Sequence, residues 1–430
     1  MSIELDLSKG RFRLYVGTML CAADPEPVRT GAVDNGRLLT VPLVKVLTAA
    51  FGAMTSFYLT LSVLPLIAAS NGSKGAAGLA AGLLMFGGVA AELVSARMLA
   101  RHGGQVVLAC GLFLLGVPSL LLVASDTTAV MLAVSVVRGL GFGFIVVASG
   151  SIVVALLPPG RRGEGLGVYG VVACVPAIAA LPLGVWLADA IGTGPVFLLA
   201  AVAALAPLVL RPGRTKGVGD APGTPDRRGL LAGVRHLGLA RLFVVFGATT
   251  FAGGIVVAFL PLAGPSGDVA AVGLFVQAAA AAAARWVAGR AGDRWGNQRM
   301  LVPALVVVAV GAATFAVSTA AAAVVIGALL FGAGFGVLQT ATLAMMVEGV
   351  PASEFGNVNA VWNLAYDLGY GAGPITFGAV AAHSGYAVGF GMTAAVVLAA
   401  VPAARRLTEA PGRIPRAAGS PSSLAFSPAS

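Results

Sequence analysis

The sequence predicts an all-α membrane protein with twelve transmembrane helices in two six-helix, pseudo-symmetric halves. Of the 430 residues, 58% are hydrophobic and only 10% are charged, whereas soluble domains are about half apolar and about a quarter charged. Apolar runs long enough to cross a bilayer recur along most of the chain. A short pattern that begins at Arg101 returns at Arg294, which indicates the duplication of one large unit.

The duplication extends beyond that short pattern at a constant offset. Residues 101–108 match residues 294–301, and the glycine-rich stretch at Gly139 falls on the stretch at Gly332. A duplicated helical unit in a membrane is typical of secondary transporters, whose substrate site lies between the two halves. Strands of a membrane barrel need alternating polar positions, and runs such as residues 302–317 do not alternate.

Twelve spans follow from the apolar runs. They cover residues 42–65, 76–98, 105–124, 128–150, 165–188, 195–211, 241–262, 270–289, 300–318, 322–347, 356–381 and 386–404. The first six form an N-terminal bundle over residues 42–211, and the last six form a C-terminal bundle over residues 241–404. We expect a flexible cytoplasmic tail at 1–41, a cytoplasmic linker at 212–240 and a disordered cytoplasmic tail, rich in Ser, Pro and Ala, at 405–430.

The positive charges orient these spans. The net charge is +10, and nearly all of the 27 Lys and Arg residues fall on one side of the predicted membrane. Only Lys74 lies in a loop on the opposite side. Because basic residues favour the cytoplasmic side, we expect a multi-pass protein of the inner (plasma) membrane with both termini in the cytoplasm. This distribution accounts for the charge without a nucleic-acid partner.

Several motifs resemble those of the major facilitator superfamily. Residues 289–296 resemble the family's Gly-x-x-x-Asp-Arg-x-Gly signature, and the first-half copy has Ala100 in place of the aspartate. Arg138, ahead of a Gly-x-Gly-x-Gly run, resembles the arginine motif of the family's fourth helix. Residues 369–378 resemble the Gly-Pro motif associated with antiporters, although that motif lies here in span eleven and not in span five. The resemblance implies the family's twelve-helix fold and transport by alternating access.

Ionisable residues within the spans are costly in lipid and are therefore functional candidates. Asp367, near the middle of span eleven, is the first candidate for proton coupling, because a desolvated carboxyl group can bind and release a proton near neutral pH. Arg138 is the second, a role that the resemblance implies. The alternative for each is structural, with Asp367 held by tyrosine and asparagine hydrogen bonds and Arg138 held by helix carbonyls.

Four further residues are candidates for gating. Glu92 and Arg285 occupy equivalent positions in the two repeats, and we expect a salt bridge between the halves that breaks on switching. The alternative is that Glu92 pairs locally with Arg97 while Arg285 reaches the interface. The resemblance implies that Asp293 and Arg294 form a conformational latch, and the alternative is a solvated pair of little energetic consequence.

Polar and aromatic side chains in the spans are candidates for lining a central cavity. Those in span eleven recur at helical spacing and share one face, which lipid would reject. The candidates are Thr55, Tyr58, Tyr169, Gln277, Gln339, Asn359, Trp362, Asn363, Tyr366 and Tyr370. Such a cavity suits a neutral or weakly cationic amphiphile, and simple packing is the alternative for each residue.

The function predicted from these features is proton-coupled export of small amphiphilic molecules, such as drugs or natural products. The alternatives are proton-coupled or facilitated uptake of a metabolite or sugar, and a non-transporting membrane sensor or membrane enzyme. The sequence contains no phosphate-binding loop, no catalytic constellation and no metal-ligand spacing, so we expect no enzymatic activity, cofactor or metal. The expected partners are a small-molecule substrate, protons and the lipid bilayer, and the expected state is a monomer.

Overall fold

The computed structural model contains one large helical unit, which begins at Leu38. The structure describes residues 3–6, 11–14, 39–71, 74–125, 127–157, 161–210, 237–348 and 355–409. The all-α prediction is confirmed for the helical unit. In a separate N-terminal unit, Ile3–Asp6 (β1) pairs antiparallel with Arg11–Leu14 (β2), a hairpin that the expectation of a flexible tail did not include.

Helices account for nearly all of the described residues after Thr40. They are α1 Val41–Leu61, α2 Leu64–Ser70, α3 Lys74–His102, α4 Gly104–Ala124, α5 Thr128–Leu156, α6 Arg162–Ile191, α7 Thr193–Leu205 with a 3₁₀ turn at Ala206–Leu210, α8 Leu237–Ala263, α9 Gly267–Trp295, α10 Gln298–Val317, α11 Ala321–Glu348, α12 Phe355–Ala399 and α13 Val401–Glu409.

The number of membrane spans agrees with the predicted twelve. Across the described parts of the chain, 11 helical stretches are long and apolar enough to cross a membrane. The last, Val358–Thr408, has 51 residues, about 75 Å of helix against a hydrocarbon thickness of about 30 Å. It bends at Gly385, whose φ of 83° suits only glycine. Therefore α12 has two arms, residues 355–384 and 386–399, and the second arm is long enough to cross the membrane together with α13, which continues it to Glu409.

The repeat seen in the sequence is also visible in the backbone. Gly103 has φ 79° and Gly296 has φ 84°, and these two glycines align in the duplicated pattern. Each lets the chain reverse between two long helices, α3 to α4 and α9 to α10, because glycine enters the left-handed region without steric cost. The two halves therefore share a turn as well as a motif.

The halves meet along specific helix pairs. Across the boundary, α3 packs on α12, α6 packs on α9, and α2 contacts α8. One cluster of buried apolar side chains runs through both halves, and a second is confined to the N-terminal half. Large apolar side chains such as Phe113, Trp186 and Val310 remain exposed, as expected for surfaces that face lipid.

The predicted domain boundaries differ from the structure at two places. The linker at 212–240 lies mostly outside the described residues, and α8 begins at Leu237. The predicted disordered tail is wrong over its first residues, because α13 continues the helix to Glu409. Buried Ala404 and Leu407 alternate there with exposed arginines, so this segment is an amphipathic helix. Residues 410–430 lie outside the described residues.

Candidate functional site

A pair of carboxyl groups lies at the boundary between the halves. The carboxyl groups of Glu92 on α3 and Asp367 on α12 lie close enough to interact with each other. Asp367 is only 7% exposed, and Glu92 is half-buried. Because an ionised carboxylate only accepts hydrogen bonds, these two groups can bond to each other only when one of them carries a proton. The structure therefore brings together one acidic residue from each half.

Glycines explain how α3 and α12 approach closely enough to place this pair. A Cβ atom on Gly78 would overlap the backbone carbonyl of Pro374, and one on Gly82 would overlap Ile375. On the α12 side, Gly371 faces Met85 in the same way. Close backbone contact through small residues is typical of helix pairs in membranes. These glycine contacts all lie closer to the start of α3 than the position of Glu92.

Tyrosines surround Asp367. Tyr366 and Tyr370 flank it in α12, and their rings stack at 5.2 Å between centroids with an interplanar angle of 10°. Tyr58 on α1 lies close enough to Asp367, Tyr366 and Tyr370 to interact with them electrostatically. The three tyrosines and the carboxyl pair therefore form one cluster built from α1, α3 and α12, which we call the tyrosine–carboxyl cluster.

A cation lies beside this cluster. Arg285 on α9 interacts electrostatically with Tyr58 and Tyr366. Its Nη1 atom donates to the Sγ atom of Cys174 on α6 at 3.3 Å, and its backbone carbonyl accepts from Thr340 at 3.4 Å. The site therefore combines two carboxyl groups, three phenols and one guanidinium group from four helices, α1, α3, α9 and α12.

The contacts described for Glu92 and Arg285 do not include the predicted salt bridge between them. Equivalent positions in the two repeats favoured that salt bridge, but Glu92 interacts with Asp367 and Arg285 contacts Cys174. The reason is geometric. The helix α3 packs on α12 while its repeat equivalent α9 packs on α6, so the two side chains meet different neighbours.

Arg138 lies inside the N-terminal half and is fully buried. Its guanidinium group donates to the carbonyl of Leu115 and the hydroxyl of Ser119 on α4. It also donates to the carbonyl of Ser56 at 3.1 Å and the hydroxyl of Thr60 at 2.6 Å, both on α1. None of these described contacts is to a carboxyl group, so they favour the structural alternative, in which Arg138 joins α1, α4 and α5.

Other predicted cavity residues have partners within their own half. Tyr169 shares a hydrogen bond with Ser149 at 2.8 Å. Trp362 stacks on Phe246 at 4.5 Å and donates to Thr342 at 3.2 Å. The hydroxyl of Thr55 donates to the carbonyl of its own helix one turn earlier, at 2.8 Å. These contacts favour packing roles for the three residues.

The amide side chains are spread over three helices. Gln277 on α9 and Gln339 on α11 are 6% and 8% exposed, and the Oε1 atom of Gln277 has no hydrogen-bond partner among the described residues. In α12, Asn363 is half-buried and Asn359 is exposed. The contacts described for these four residues do not include the tyrosine–carboxyl cluster, so they remain predictions as cavity residues.

The predicted latch lies at the end of α9, where Asp293 and Arg294 are both exposed. The contact that the structure describes there is made by Asn297, whose Nδ2 atom donates to Glu348 on α11 at 2.9 Å. Sequence reasoning missed this residue, although it directly follows the Gly-x-x-x-Asp-Arg-x-Gly signature at residues 289–296. It also missed Cys174 and the hydroxyl groups around Arg138. The hydroxyl groups around Arg138 could have been predicted, because Ser56 and Thr60 lie one helical turn apart in an otherwise apolar helix.

Within the described ranges, no group of three or more His, Cys, Asp or Glu residues could hold a metal ion. The side chains at the boundary can exchange a proton between carboxyl groups, place aromatic faces against a ligand, and balance charge with a guanidinium group.

Comparison with known proteins gives a consistent assignment. A family model described as Major Facilitator Superfamily matches residues 46–268 and 263–428. An uncharacterized MFS-type transporter of Burkholderia mallei is 34% identical over 122 residues, which are 28% of this chain and 30% of the relative. A relative from Burkholderia pseudomallei matches to the same extent. The chain thus aligns with less than a third of the length of these relatives.

Solved structures show the same fold at low identity. A bacterial homolog of the human lysosomal transporter Spinster, inward-facing and occupied, has a TM-score of 0.71 at 15% identity and covers 86% of this chain and 96% of its own. The nucleoside transporter NupG has a TM-score of 0.68 at 11% identity, and the match covers 86% of this chain and 99% of NupG. The human organic anion transporter MFSD10 has a TM-score of 0.60 at 18% identity, and the match covers 85% of this chain and 99% of MFSD10.

Proposed function

Because the chain belongs to the major facilitator superfamily, we propose that it is a proton-coupled secondary transporter that exports small amphiphilic molecules. The observation that carries the proposal is the interaction between the carboxyl groups of Glu92 and Asp367. This interaction joins the two halves, which separate and approach during alternating access. A proton bound there is therefore linked to the conformation of the whole protein.

The carboxyl pair supplies a coupling mechanism. With one proton, the pair carries a single negative charge and is held together by its hydrogen bond. Without that proton, two adjacent carboxylates repel each other. Loss of the proton therefore favours separation of α3 from α12, and uptake of a proton favours their approach. This gives the reversible, proton-dependent switch that coupled transport requires.

The surroundings of the pair support the proposed substrate class. The faces of Tyr58, Tyr366 and Tyr370 can hold an apolar or cationic group, since aromatic rings attract cations. The charge of Arg285 balances the singly protonated pair, which leaves the site close to neutral. A neutral or weakly cationic amphiphile therefore fits better than a polyanion, and a cation that binds here displaces the proton from the pair.

We propose the same membrane orientation as the charge distribution predicts. Exposed arginines lie at one end of the helices, including Arg97, Arg101, Arg290 and Arg294. Lys74 lies at the opposite end, where α3 begins. Because basic residues are enriched on the cytoplasmic side of a membrane, this distribution supports cytoplasmic termini and a plasma membrane location.

The proposal is tested with everted membrane vesicles that contain the full-length protein and are made acid inside by respiration. A pH-sensitive dye reports proton release when cationic or neutral amphiphiles are added. We expect release for at least one class, and we expect Asp367→Asn to abolish it. The exposed residue Asp268, in the first turn of α9, provides the matched control, since Asp268→Asn removes the same charge outside the cluster.

Two outcomes would contradict the proposal. If no amphiphile releases protons but whole cells accumulate a metabolite or sugar through the protein, the direction is uptake. If export continues with an unchanged pH dependence in Asp367→Asn, the carboxyl pair does not couple transport to protons.

A further inference from the structure

An apolar groove lies on the outer surface of the C-terminal half, away from the tyrosine–carboxyl cluster. It has a volume of about 350 Å³ and runs between α8 and the second arm of α12. Its lining consists only of apolar residues and glycine: Phe243, Val244, Gly247, Ala248, Phe251, Val396, Ala399 and Ala400. Val244 is 52% exposed and Val396 is 36% exposed, so the groove opens to the membrane.

Gly247 gives the groove its depth. A Cβ atom added there would come no closer than 3.9 Å to a neighbour, the carbonyl oxygen of Ala365. Glycine is therefore not needed for helix packing at this position, unlike Gly78 and Gly82 in α3. A larger side chain at 247 would occupy the groove without disturbing the helices beneath it, which makes this position a sharp test.

Two arginines lie beyond one end of the groove, one on each wall. Arg241 precedes Val244 by one turn on the accessible face of α8, and Arg406 follows Ala399 by two turns. Spans seven and twelve cross the membrane in opposite directions, and α13 contacts α8. The start of α8 and the end of the chain's last span therefore lie together, which places Arg241 and Arg406 at the same end of the groove.

The amphipathic helix α13 places these arginines at the membrane surface. Its buried side, with Ala404 and Leu407, faces the protein, while Arg405 and Arg406 are exposed. Helices of this kind lie at the level of the lipid headgroups. The apolar groove thus extends into the hydrocarbon layer from a headgroup region that carries two positive charges.

We propose that this groove binds one anionic phospholipid, with an acyl chain along the apolar lining and the headgroup phosphate between Arg241 and Arg406. Guanidinium groups bind phosphate through paired hydrogen bonds, and the net charge selects the headgroup, because the ammonium group of a zwitterionic lipid is repelled by the two arginines. A zwitterionic lipid offers the same acyl chains but no net charge. The site is separate from the proposed transport site and does not depend on transport being coupled to protons.

The test uses the full-length protein in a mild detergent, titrated with dioleoyl phosphatidylglycerol or dioleoyl phosphatidylcholine. Native mass spectrometry counts the lipids that stay bound. We expect one phosphatidylglycerol molecule to bind more tightly than phosphatidylcholine. The double variant Arg241→Gln/Arg406→Gln should bind it roughly 30-fold more weakly, from the usual contribution of two basic residues near a lipid surface.

Two single variants separate the groove from general surface charge. Gly247→Leu fills the groove and should prevent binding while all arginines remain. Arg405→Gln is the matched control, because it removes an exposed charge of α13 next to Arg406, and it should keep the wild-type affinity. Thermal unfolding that matches the wild type shows that each variant is folded.

Any of three results would overturn the proposal. The first is equal retention of the two lipids by the wild-type protein. The second is unchanged phosphatidylglycerol binding in Gly247→Leu, which would place the lipid elsewhere. The third is an equal loss in Arg405→Gln and in Arg406→Gln, which would indicate diffuse surface charge in place of a defined site.

Discussion

Glu92 on α3 and Asp367 on α12 bring one acidic side chain from each half of the protein close enough for their carboxyl groups to interact. Two ionised carboxylates about 4 Å apart repel by about 4 kcal/mol at an effective dielectric constant of about 20. A proton shared between them replaces that repulsion with a hydrogen bond. The energies involved are large enough to shift a two-state equilibrium almost completely.

We predict that Asp367→Asn separates substrate exchange from proton movement. The amide keeps the size of the side chain and can still bond to Glu92, but it cannot release a proton. Exchange of labelled for unlabelled substrate across proteoliposomes, without a pH gradient, should therefore continue. Accumulation driven by a pH gradient should fall to the level of empty liposomes. Loss of both activities would indicate a structural role for Asp367.

We predict that the distance between α3 and α12 near the carboxyl pair depends on pH. Alkaline pH removes the shared proton and should increase the distance, whereas acidic pH should keep the helices together. Spin labels at exposed Arg97 and Asn359 would report this distance by electron paramagnetic resonance. In the double variant Glu92→Gln/Asp367→Asn, the pH dependence should disappear. A distance that changes with pH equally in both proteins would assign the effect to other groups.

We predict that Gly78→Leu blocks transport and destabilises the protein. The new side chain would overlap the backbone of Pro374, and forcing extra volume into a packed contact costs about 1–3 kcal/mol. Gly150→Leu in α5 is the matched control, because a Cβ atom there has no neighbour within 4 Å. Thermal unfolding in detergent and transport in proteoliposomes should both distinguish the two variants. Equal behaviour would mean that the α3–α12 contact can open freely.

We predict that Arg138→Met lowers stability but leaves the pH dependence of the remaining transport unchanged. The substitution removes charged hydrogen bonds to α1 and α4, each of which contributes about 1.5–3 kcal/mol. The expected result is a lower unfolding temperature in detergent. A shifted pH profile at normal stability would instead restore the proton-coupling role that the sequence motif implied.

The helices could be predicted well from the sequence, because hydropathy and length determine which segments cross a bilayer. The span that contains Glu92 was placed at 76–98, and α3 covers Lys74–His102. The bend at Gly385 also falls between the two last predicted spans. The last helix was predicted to end at residue 404, which was too early. The segment around Leu407 is amphipathic and therefore has a low mean hydropathy, so a search for apolar runs misses it.

The partners within the site were much harder to predict. The repeat relates Glu92 to Arg285, but symmetry-related positions need not touch, and the contact between α3 and α12 decided the partner instead. Asp367 and its flanking tyrosines were identified correctly as belonging together, because helical spacing places them on neighbouring positions of one helix. The contact of Arg285 with Cys174 joins two halves through residues distant in sequence, and no local pattern indicates it.

The backbone contact between Gly78 and Pro374 also has a mechanical meaning. It lies near one end of α3, about 21 Å along the helix axis from Glu92 and about 35 Å from Arg101. If this contact is the fulcrum, a rotation of about 10° moves Glu92 by roughly 4 Å and Arg101 by roughly 6 Å at that helical rise. A small tilt would thus break the carboxyl hydrogen bond first and open a much wider passage at the arginine-rich end, with α3 acting as a lever.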